Sequence, residues 1–127
     1  MHLTTVAIDL AKNVFEIAGV DAHGPVVERR RLTRPQLERF LATRDIGRVV
    51  MEACGTAHYW GRWLAARDVA VALLPPQYVK AYVRRNKTDR ADATALLEAS
   101  RAADILPVPV KSIEQQALQG LHRVRAA

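Results

Sequence analysis

The stretch "LTTVAIDL", residues 3–10, is a nearly continuous apolar run that contains β-branched residues. A run of this kind is typical of a strand that is buried on both faces of a sheet. Its only charged residue is Asp9, which comes where the run ends. The stretch therefore predicts a central strand that carries a carboxylate at its carboxyl end.

Two further β-rich segments follow this strand across short turn sequences, and they cover residues 14–20 and 26–32. Three consecutive strands joined by short turns predict an antiparallel meander. Thr33 is then suited to cap a helix that has Pro35 in its first turn, and helical spacing continues to about residue 44. A helix is therefore expected to pack on the sheet.

The second half of the sequence alternates between strand and helix patterns. Strands are predicted over residues 46–51 and 69–74, and the helical spacing of residues 56–68 lies between them. This order predicts an α/β fold with a mixed sheet, in which the later strands are parallel and joined by helical crossovers. Three further helices are predicted over residues 77–84, 88–103 and 113–125, with a break at residues 107–109 before the last of them.

Length and composition limit the class of protein. The 127 residues are enough for about one domain, and with half of them apolar and a quarter charged the chain reads as soluble and globular. No apolar run reaches the roughly 20 residues that span a bilayer, and no secretory leader is present, so we expect no membrane partner and a cytoplasmic location. The single cysteine, Cys54, excludes an intrachain disulfide and is expected to be a small buried side chain.

The charge balance favours a polyanionic partner. Nineteen Lys and Arg residues stand against thirteen Asp and Glu residues, which gives a formal net charge of +6. Most of the cations are arginines, whose planar guanidinium groups match phosphate best.

Four acidic residues occupy positions where a fold of this kind would bring them together. Asp9 ends the first predicted strand, Glu52 follows the fourth, and Asp89 and Asp92 lie three residues apart in the first turn of a predicted helix. If the first and fourth strands are parallel neighbours, their carboxyl ends meet at the edge where α/β sheets bind ligands. The pattern therefore predicts one cluster of four carboxylates.

Such a cluster needs cations, because like charges in a partly desolvated site oppose ionisation. Carboxylate oxygens suit Mg²⁺ or Mn²⁺, and a pair of ions about 3.5–4 Å apart supports phosphodiester chemistry. Two divalent ions are therefore expected. The neighbouring basic residues are expected to hold flanking phosphates, although a turn lysine such as Lys12 is more often only solvated; these residues are Lys12, Arg84, Arg85, Lys87 and Arg90.

Three segments together resemble the acidic blocks of the DEDD-type transposases of bacterial insertion sequences, which are relatives of Piv-type DNA invertases. The segments are "AIDLAKN" (7–13), "VVMEACG" (49–55) and "RRNKTDRADA" (84–93), and the third is the most specific. The resemblance implies a ribonuclease H-like fold close to that of RuvC resolvases. It also implies that Asp9, Glu52, Asp89 and Asp92 form a Mg²⁺-binding catalytic tetrad that acts in DNA strand cleavage and exchange.

The resemblance also implies a domain organisation, a nucleophile and partners. It divides the chain into a RuvC-like catalytic domain over residues 1–103 and a linker with the start of a helical, coiled-coil region over 104–127, where the chain is expected to be truncated. Full-length relatives supply a serine nucleophile from a later domain, and neither Ser100 nor Ser112 lies in a matching context. Some members are guided by a structured RNA, so the implied partners are DNA, a guide RNA and further copies of the chain. Cys54 stands where relatives commonly carry a hydroxyl residue.

Other interpretations of the same residues stay open. The acids fit a non-catalytic nucleic-acid-binding module if they only cap helices and turns. An actin-like ATPase or sugar kinase shares related topology, but the first turn lacks the glycines that let backbone amides approach a phosphate. Trp60 and Trp63 have a spacing that indicates core or subunit packing more than base stacking. The run Arg29 to Arg31 indicates a solvated strand face or a charged sheet edge.

Overall fold

A computed structural model describes residues 2–10, 13–22, 24–85, 91–101 and 106–126, with side chains described for these ranges except 81–85, 91–92 and 122–126. Four of the predicted site residues lie outside the described residues; they are Lys12, Lys87, Asp89 and Arg90. Three others, Arg84, Arg85 and Asp92, are described only as backbone positions within helices.

The core of the protein is a five-stranded mixed sheet with the order β3-β2-β1-β4-β5. β1 pairs antiparallel with β2 and parallel with β4, while β2–β3 is antiparallel and β4–β5 is parallel. The predicted α/β class, the initial meander and the parallel pairing of the first and fourth strands are confirmed. The strands are β1 (His2–Asp9), β2 (Val14–Val20), β3 (Val26–Thr33), β4 (Asp45–Glu52) and β5 (Ala70–Leu74).

Helices flank the sheet, which is consistent with the ribonuclease H-like fold that the resemblance implies. α1 begins as predicted after Thr33, whose backbone N–H donates to the Gln36 side chain at 2.9 Å. α2 ends earlier than predicted, because Asp68 takes a left-handed conformation with φ of 60°. The helices are α1 (Arg34–Thr43), α2 (Gly55–Ala65), α3 (Pro76–Arg85), α4 (Ala91–Ser100) and α5 (Ile113–Ala126).

One side of the sheet, here called the α1–α2 face, is packed with large side chains. Trp60 from α2 is 1% exposed and meets Phe15 and Trp63 edge to face. The prediction of core packing is therefore confirmed for Trp60. Further buried residues of this face come from all five strands and both helices; they include Leu3, Ile8, Ile17, Leu32, Leu37, Met51, Leu64 and Leu73.

The other side, here called the α4 face, is built from smaller side chains. Its described buried residues include many alanines, both on the strands and on α4: Ala7, Ala18, Ala72, Ala93, Ala95 and Ala99. Because an alanine side chain ends at Cβ, a helix can lie close to a sheet that presents alanines. α4 therefore lies close against the middle of the sheet, and its own Leu96 and Leu97 side chains are buried.

The segment that leads into α5 is fixed against α2 and β5. The Val108 N–H donates to the Leu73 carbonyl at 2.6 Å, and this isolated bridge lies within the predicted break at residues 107–109. Arg62 of α2 donates to the Lys111 carbonyl and to the Gln116 side chain. These contacts place the start of α5 beside α2.

Candidate functional site

Asp9 and Glu52 end two adjacent parallel strands. Ile8 of β1 pairs with Met51 of β4, and each acid is the next residue along its strand. Neighbouring strands lie about 4.8 Å apart, so the two carboxyl-bearing residues meet at the same edge of the sheet. This juxtaposition is the one that the sequence predicted.

The two acids also share one face of the sheet. Ile8 and Met51 are fully buried on the α1–α2 face. Successive side chains of a strand point to opposite faces, so Asp9 and Glu52 lie on the α4 face. Both are half-buried, and each interacts with other groups of the protein.

α4 runs antiparallel to β1, which two contacts at different levels of the sheet establish. The Ser100 carbonyl at the end of α4 accepts from Arg48, which is four residues before the end of β4. Thr94, near the start of α4, accepts from Arg29 at 3.0 Å. Arg29 pairs with Ala18 of β2, and Ala18 pairs with Ala7 of β1, whereas Arg48 pairs with Thr5 of β1. The contact of Thr94 therefore lies two residues nearer Asp9 along β1 than the contact of Ser100.

The first turn of α4 therefore lies toward the edge that carries Asp9 and Glu52. Asp92 is the second residue of the helix, so its backbone position belongs to that turn. The two strand-borne acids and the helix start that carries a third predicted acid therefore lie toward the same edge of the sheet. Asp89, the fourth predicted member, lies outside the described residues.

Sequence reasoning missed Glu16, which is the cross-strand partner of Asp9. Directly opposed residues of an antiparallel pair point to the same face, so Glu16 also lies on the α4 face. Arg31 of β3 donates to its Oε1 atom from Nε and Nη2, at 2.9 and 2.7 Å. A signal was present, since Glu16 is the only charged residue of an otherwise apolar strand.

The described donor atoms fit part of a divalent metal site. Carboxylate oxygens are the hard ligands that Mg²⁺ and Mn²⁺ prefer, and Asp9 and Glu52 present two carboxylates at one edge. Within the ranges whose side chains are described, no three His, Cys, Asp or Glu residues are grouped closely enough to hold a metal ion. A complete site therefore requires donors beyond these two residues.

The predicted phosphate-binding residues are described only in part. Arg84 and Arg85 are the last two positions of α3. Lys12, Lys87 and Arg90 lie outside the described residues.

A pocket of about 260 Å³ opens beside the start of α2, next to the strand end that carries Glu52. Its buried His58 accepts the Lys111 N–H on Nδ1 at 2.9 Å. Burial lowers the pKa of His58, and the charges of Lys111 and Arg62 lower it further. The ring is therefore neutral near pH 7, with its proton on Nε2.

Cys54 lines the same pocket, and the prediction that it is a buried side chain is wrong. It precedes the first residue of α2, where the chain leaves β4 and turns at the surface. Its Sγ lies 3.4 Å from the Thr56 hydroxyl. The thiol is exposed because the helix buries its residues only from Ala57 onward.

No helix among the residues that the structure describes has the length and apolar character needed to cross a membrane.

Comparison with known proteins gives concordant matches over almost the whole chain. The family model DEDD_Tnp_IS110, described as "Transposase", matches residues 6–127. A probable family 20 transposase of Pseudomonas aeruginosa is 48% identical over 126 residues, which are 99% of this chain and 37% of that protein.

Two further relatives are transposases of named insertion sequences. The transposase for insertion sequence element IS1111A of Coxiella burnetii is 42% identical over 120 residues, 94% of this chain and 33% of its own length. The transposase for IS1328 of Yersinia enterocolitica is 40% identical over 126 residues, 99% of this chain and 38% of its own length. The chain thus spans about a third of the length of the curated relatives it matches.

Proposed function

The chain belongs to the DEDD transposase family, and we propose that it forms the acidic, metal-binding domain of an insertion-sequence transposase, which acts in cleaving and exchanging DNA strands. The observation that carries this proposal is the position of Asp9 and Glu52. They end adjacent parallel strands on one face of the sheet, and the direction of α4, whose first turn points toward the same edge, supports the proposal.

The proposed metal ligands are Asp9, Glu52, Asp89 and Asp92. Their carboxylates suit Mg²⁺ or Mn²⁺, and four of them provide enough negative charge for two ions. Bound divalent ions would activate the attacking oxygen and stabilise the leaving oxygen of a phosphodiester. Asp9 pairs with Glu16 of β2 and Glu52 pairs with Leu74 of β5, so the two strand-borne acids would form the rigid half of the site.

The proposed substrate is the phosphodiester backbone of DNA. Lys12 comes three residues after Asp9 in the sequence. Arg84 and Arg85 end α3, and Lys87 and Arg90 fall between α3 and α4 in the sequence. Cations at these positions would hold the phosphates on either side of the reacting one, because phosphate contacts fix the register of a protein on DNA. The net charge of +6 supports this partner.

Further parts of the proposal concern the whole transposase. We expect a serine nucleophile from outside this chain, a structured guide RNA as an additional partner, a homo-oligomeric assembly and a cytoplasmic location. Residues 1–103 would form the catalytic domain, and residues 104–127 would lead into a helical, coiled-coil region. These features follow from the resemblance of the three acidic blocks to the family.

Titration of the chain with Mn²⁺ tests the metal site. Asp9→Asn and Asp92→Asn are each expected to lower Mn²⁺ affinity by about tenfold or more, since each removes a charged oxygen ligand. Electron paramagnetic resonance of free Mn²⁺ measures the affinity. Glu38→Gln on α1 is the matched control, because it removes the same charge on the other side of the sheet.

The Mn²⁺ titration distinguishes carboxylates that bind metal from carboxylates that only stabilise the fold. If Asp9→Asn weakens Mn²⁺ binding and Glu38→Gln does not, the acids act as ligands. If all three variants bind Mn²⁺ like the parent chain, the carboxylates are structural and the metal-dependent function is wrong.

A further inference from the structure

Three arginines surround a groove of about 310 Å³ between the edge strand β3 and α1. They are Arg30, Arg39 and Arg44, and Phe40 and Leu32 also line the groove. This surface is here called the arginine groove. A shallower depression along residues 27–32 shares Arg30 and Arg44 with it and follows the open edge of the sheet.

Two of the three guanidinium groups are fixed in place. Glu28 accepts from both Arg30 and Arg44, and both guanidinium carbons lie over the Phe40 ring, at 5.9 and 4.7 Å from its centre. Partial burial raises the pKa of Glu28, but the hydrogen bonds and charges of Arg44 and Arg30 outweigh burial and lower the pKa overall. The carboxylate therefore stays ionised and holds both arginines.

The groove keeps an excess of positive charge. Glu28 touches two of the arginines, while Arg39 is an exposed third guanidinium on the same groove. Among the described residues, five arginines and a single carboxylate, Glu28, line the two depressions, and three of these arginines line the arginine groove itself. Planar guanidinium groups held in advance lose little entropy when they bind a phosphate.

The arginine groove lies apart from the acidic edge. Arg30 pairs with Ile17 of β2, and Ile17 pairs with Ile8 of β1, so the groove is two strands away from Asp9. It also lies on the α1–α2 face, whereas Asp9 lies on the α4 face. A ligand in the groove would therefore occupy a second site.

We propose that the arginine groove binds the backbone phosphates of duplex DNA, at a segment next to the one engaged at the acidic edge. The proposal rests on the proposed function in taking DNA as the partner. Single-stranded nucleic acids are bound by exposed aromatic rings on which bases stack, but the ring of Phe40 is buried and covered by two guanidinium groups. A lining of arginines without such a ring suits duplex phosphates, and binding is expected to be independent of base sequence.

The substitution Arg39→Gln tests this site without breaking the Glu28 cluster. Its matched control is Arg67→Gln, which removes an exposed arginine that stacks on Trp63 at the far end of α2. Fluorescence anisotropy with a 20-base-pair duplex, in EDTA, measures affinity as a function of salt concentration. We expect Arg39→Gln to lower affinity by about five- to tenfold at 0.1 M salt and to reduce the salt slope by about one.

Equal loss in Arg39→Gln and Arg67→Gln, or loss in neither, would overturn the proposal. A single-stranded RNA of the same length is measured in parallel; binding that depends on Arg39 more for this RNA than for the duplex also overturns it. Urea unfolding of both variants confirms that they are folded. Because EDTA removes divalent ions, the duplex measurement reports on the groove without the metal site, whereas the Mn²⁺ titration of Asp9→Asn and Asp92→Asn without DNA reports on the metal site alone, so failure of one and failure of the other give different results.

Discussion

The two faces of the sheet differ in the size of the side chains they bury. The α1–α2 face is filled by Trp60, Phe40 and large aliphatic residues, whereas half of the described buried residues of the α4 face are alanines. Large side chains bury more apolar area and contribute more to stability. Small side chains let α4 lie close to β1, with its first turn toward the edge that carries Asp9 and Glu52. The α1–α2 face therefore contributes more to stability, and the α4 face sets the position of α4 relative to the sheet.

The comparison predicts that the largest loss of stability comes from the α1–α2 face. Trp60→Ala is expected to lower the free energy of unfolding by about 3–5 kcal/mol, because it empties the centre of the aromatic cluster. Urea unfolding followed by circular dichroism measures the loss. Trp60→Leu is the milder variant to use if the alanine variant does not fold.

Tyr59→Ala is the control for this prediction, since Tyr59 touches Trp60 edge to face but is 39% exposed. It should cost clearly less than Trp60→Ala. Equal costs for the two variants would mean that burial on this face does not decide stability, and the contrast between the faces would be lost.

A smaller loss of stability with a larger loss of metal binding is predicted for the α4 face. Ala95→Leu adds three carbon atoms to a fully buried position and should cost about 1–3 kcal/mol through overpacking. If α4 is pushed away from the sheet, its first turn also leaves the acidic edge. Mn²⁺ affinity should then fall although no ligand has been changed.

Leu64→Ala separates these two effects. Leu64 is fully buried on α2, so its loss should cost about 2–5 kcal/mol, at least as much as Ala95→Leu. We expect the folded Leu64→Ala variant to bind Mn²⁺ like the parent chain. A parallel decrease of Mn²⁺ affinity in both variants would show that affinity follows overall stability and not the position of α4.

The strand pattern was readable from the sequence because the apolar runs are interrupted by turn residues and acids. The apolar run that ends in Asp9 and the β-rich segment of residues 14–20 predicted β1 and β2 to within a residue. The meeting of Asp9 with Glu52 was predicted on the condition that the first and fourth strands are parallel neighbours, and the structure meets this condition. The predicted end of α2 was wrong by three residues, because the left-handed conformation of Asp68 ends the helical region earlier.

What the sequence did not indicate depends on contacts between distant residues. The neighbour of Asp9 across the hairpin, Glu16, and its ion pair with Arg31 require the register of two strand pairs. The cluster of Arg30, Glu28 and Arg44 requires α1 to lie beside β3. The arginines of β3 were expected to be a solvated face, and periodicity alone gave no reason to expect a shared carboxylate.

The smallest predicted effect is a pH dependence that belongs to the α1–α2 side of the molecule. Burial, followed by the charges of Lys111 and Arg62, lowers the pKa of His58 in the folded protein, whereas the unfolded chain titrates near the ordinary value of about 6.5. Below that value the unfolded state binds more protons, so the free energy of unfolding should decrease as pH falls from 7.5 to 5.5.

Protonation at Nδ1 would also remove the acceptor of the Lys111 N–H, which helps to fix the segment before α5. His58→Asn keeps a side-chain acceptor but does not titrate in this range, so the difference between its pH dependence and that of the parent isolates His58. Urea unfolding at several pH values measures it. An identical pH dependence in the two proteins would contradict a lowered pKa, while a reduced dependence in His58→Asn would assign this part of the stability to the contact between α2 and the segment before α5.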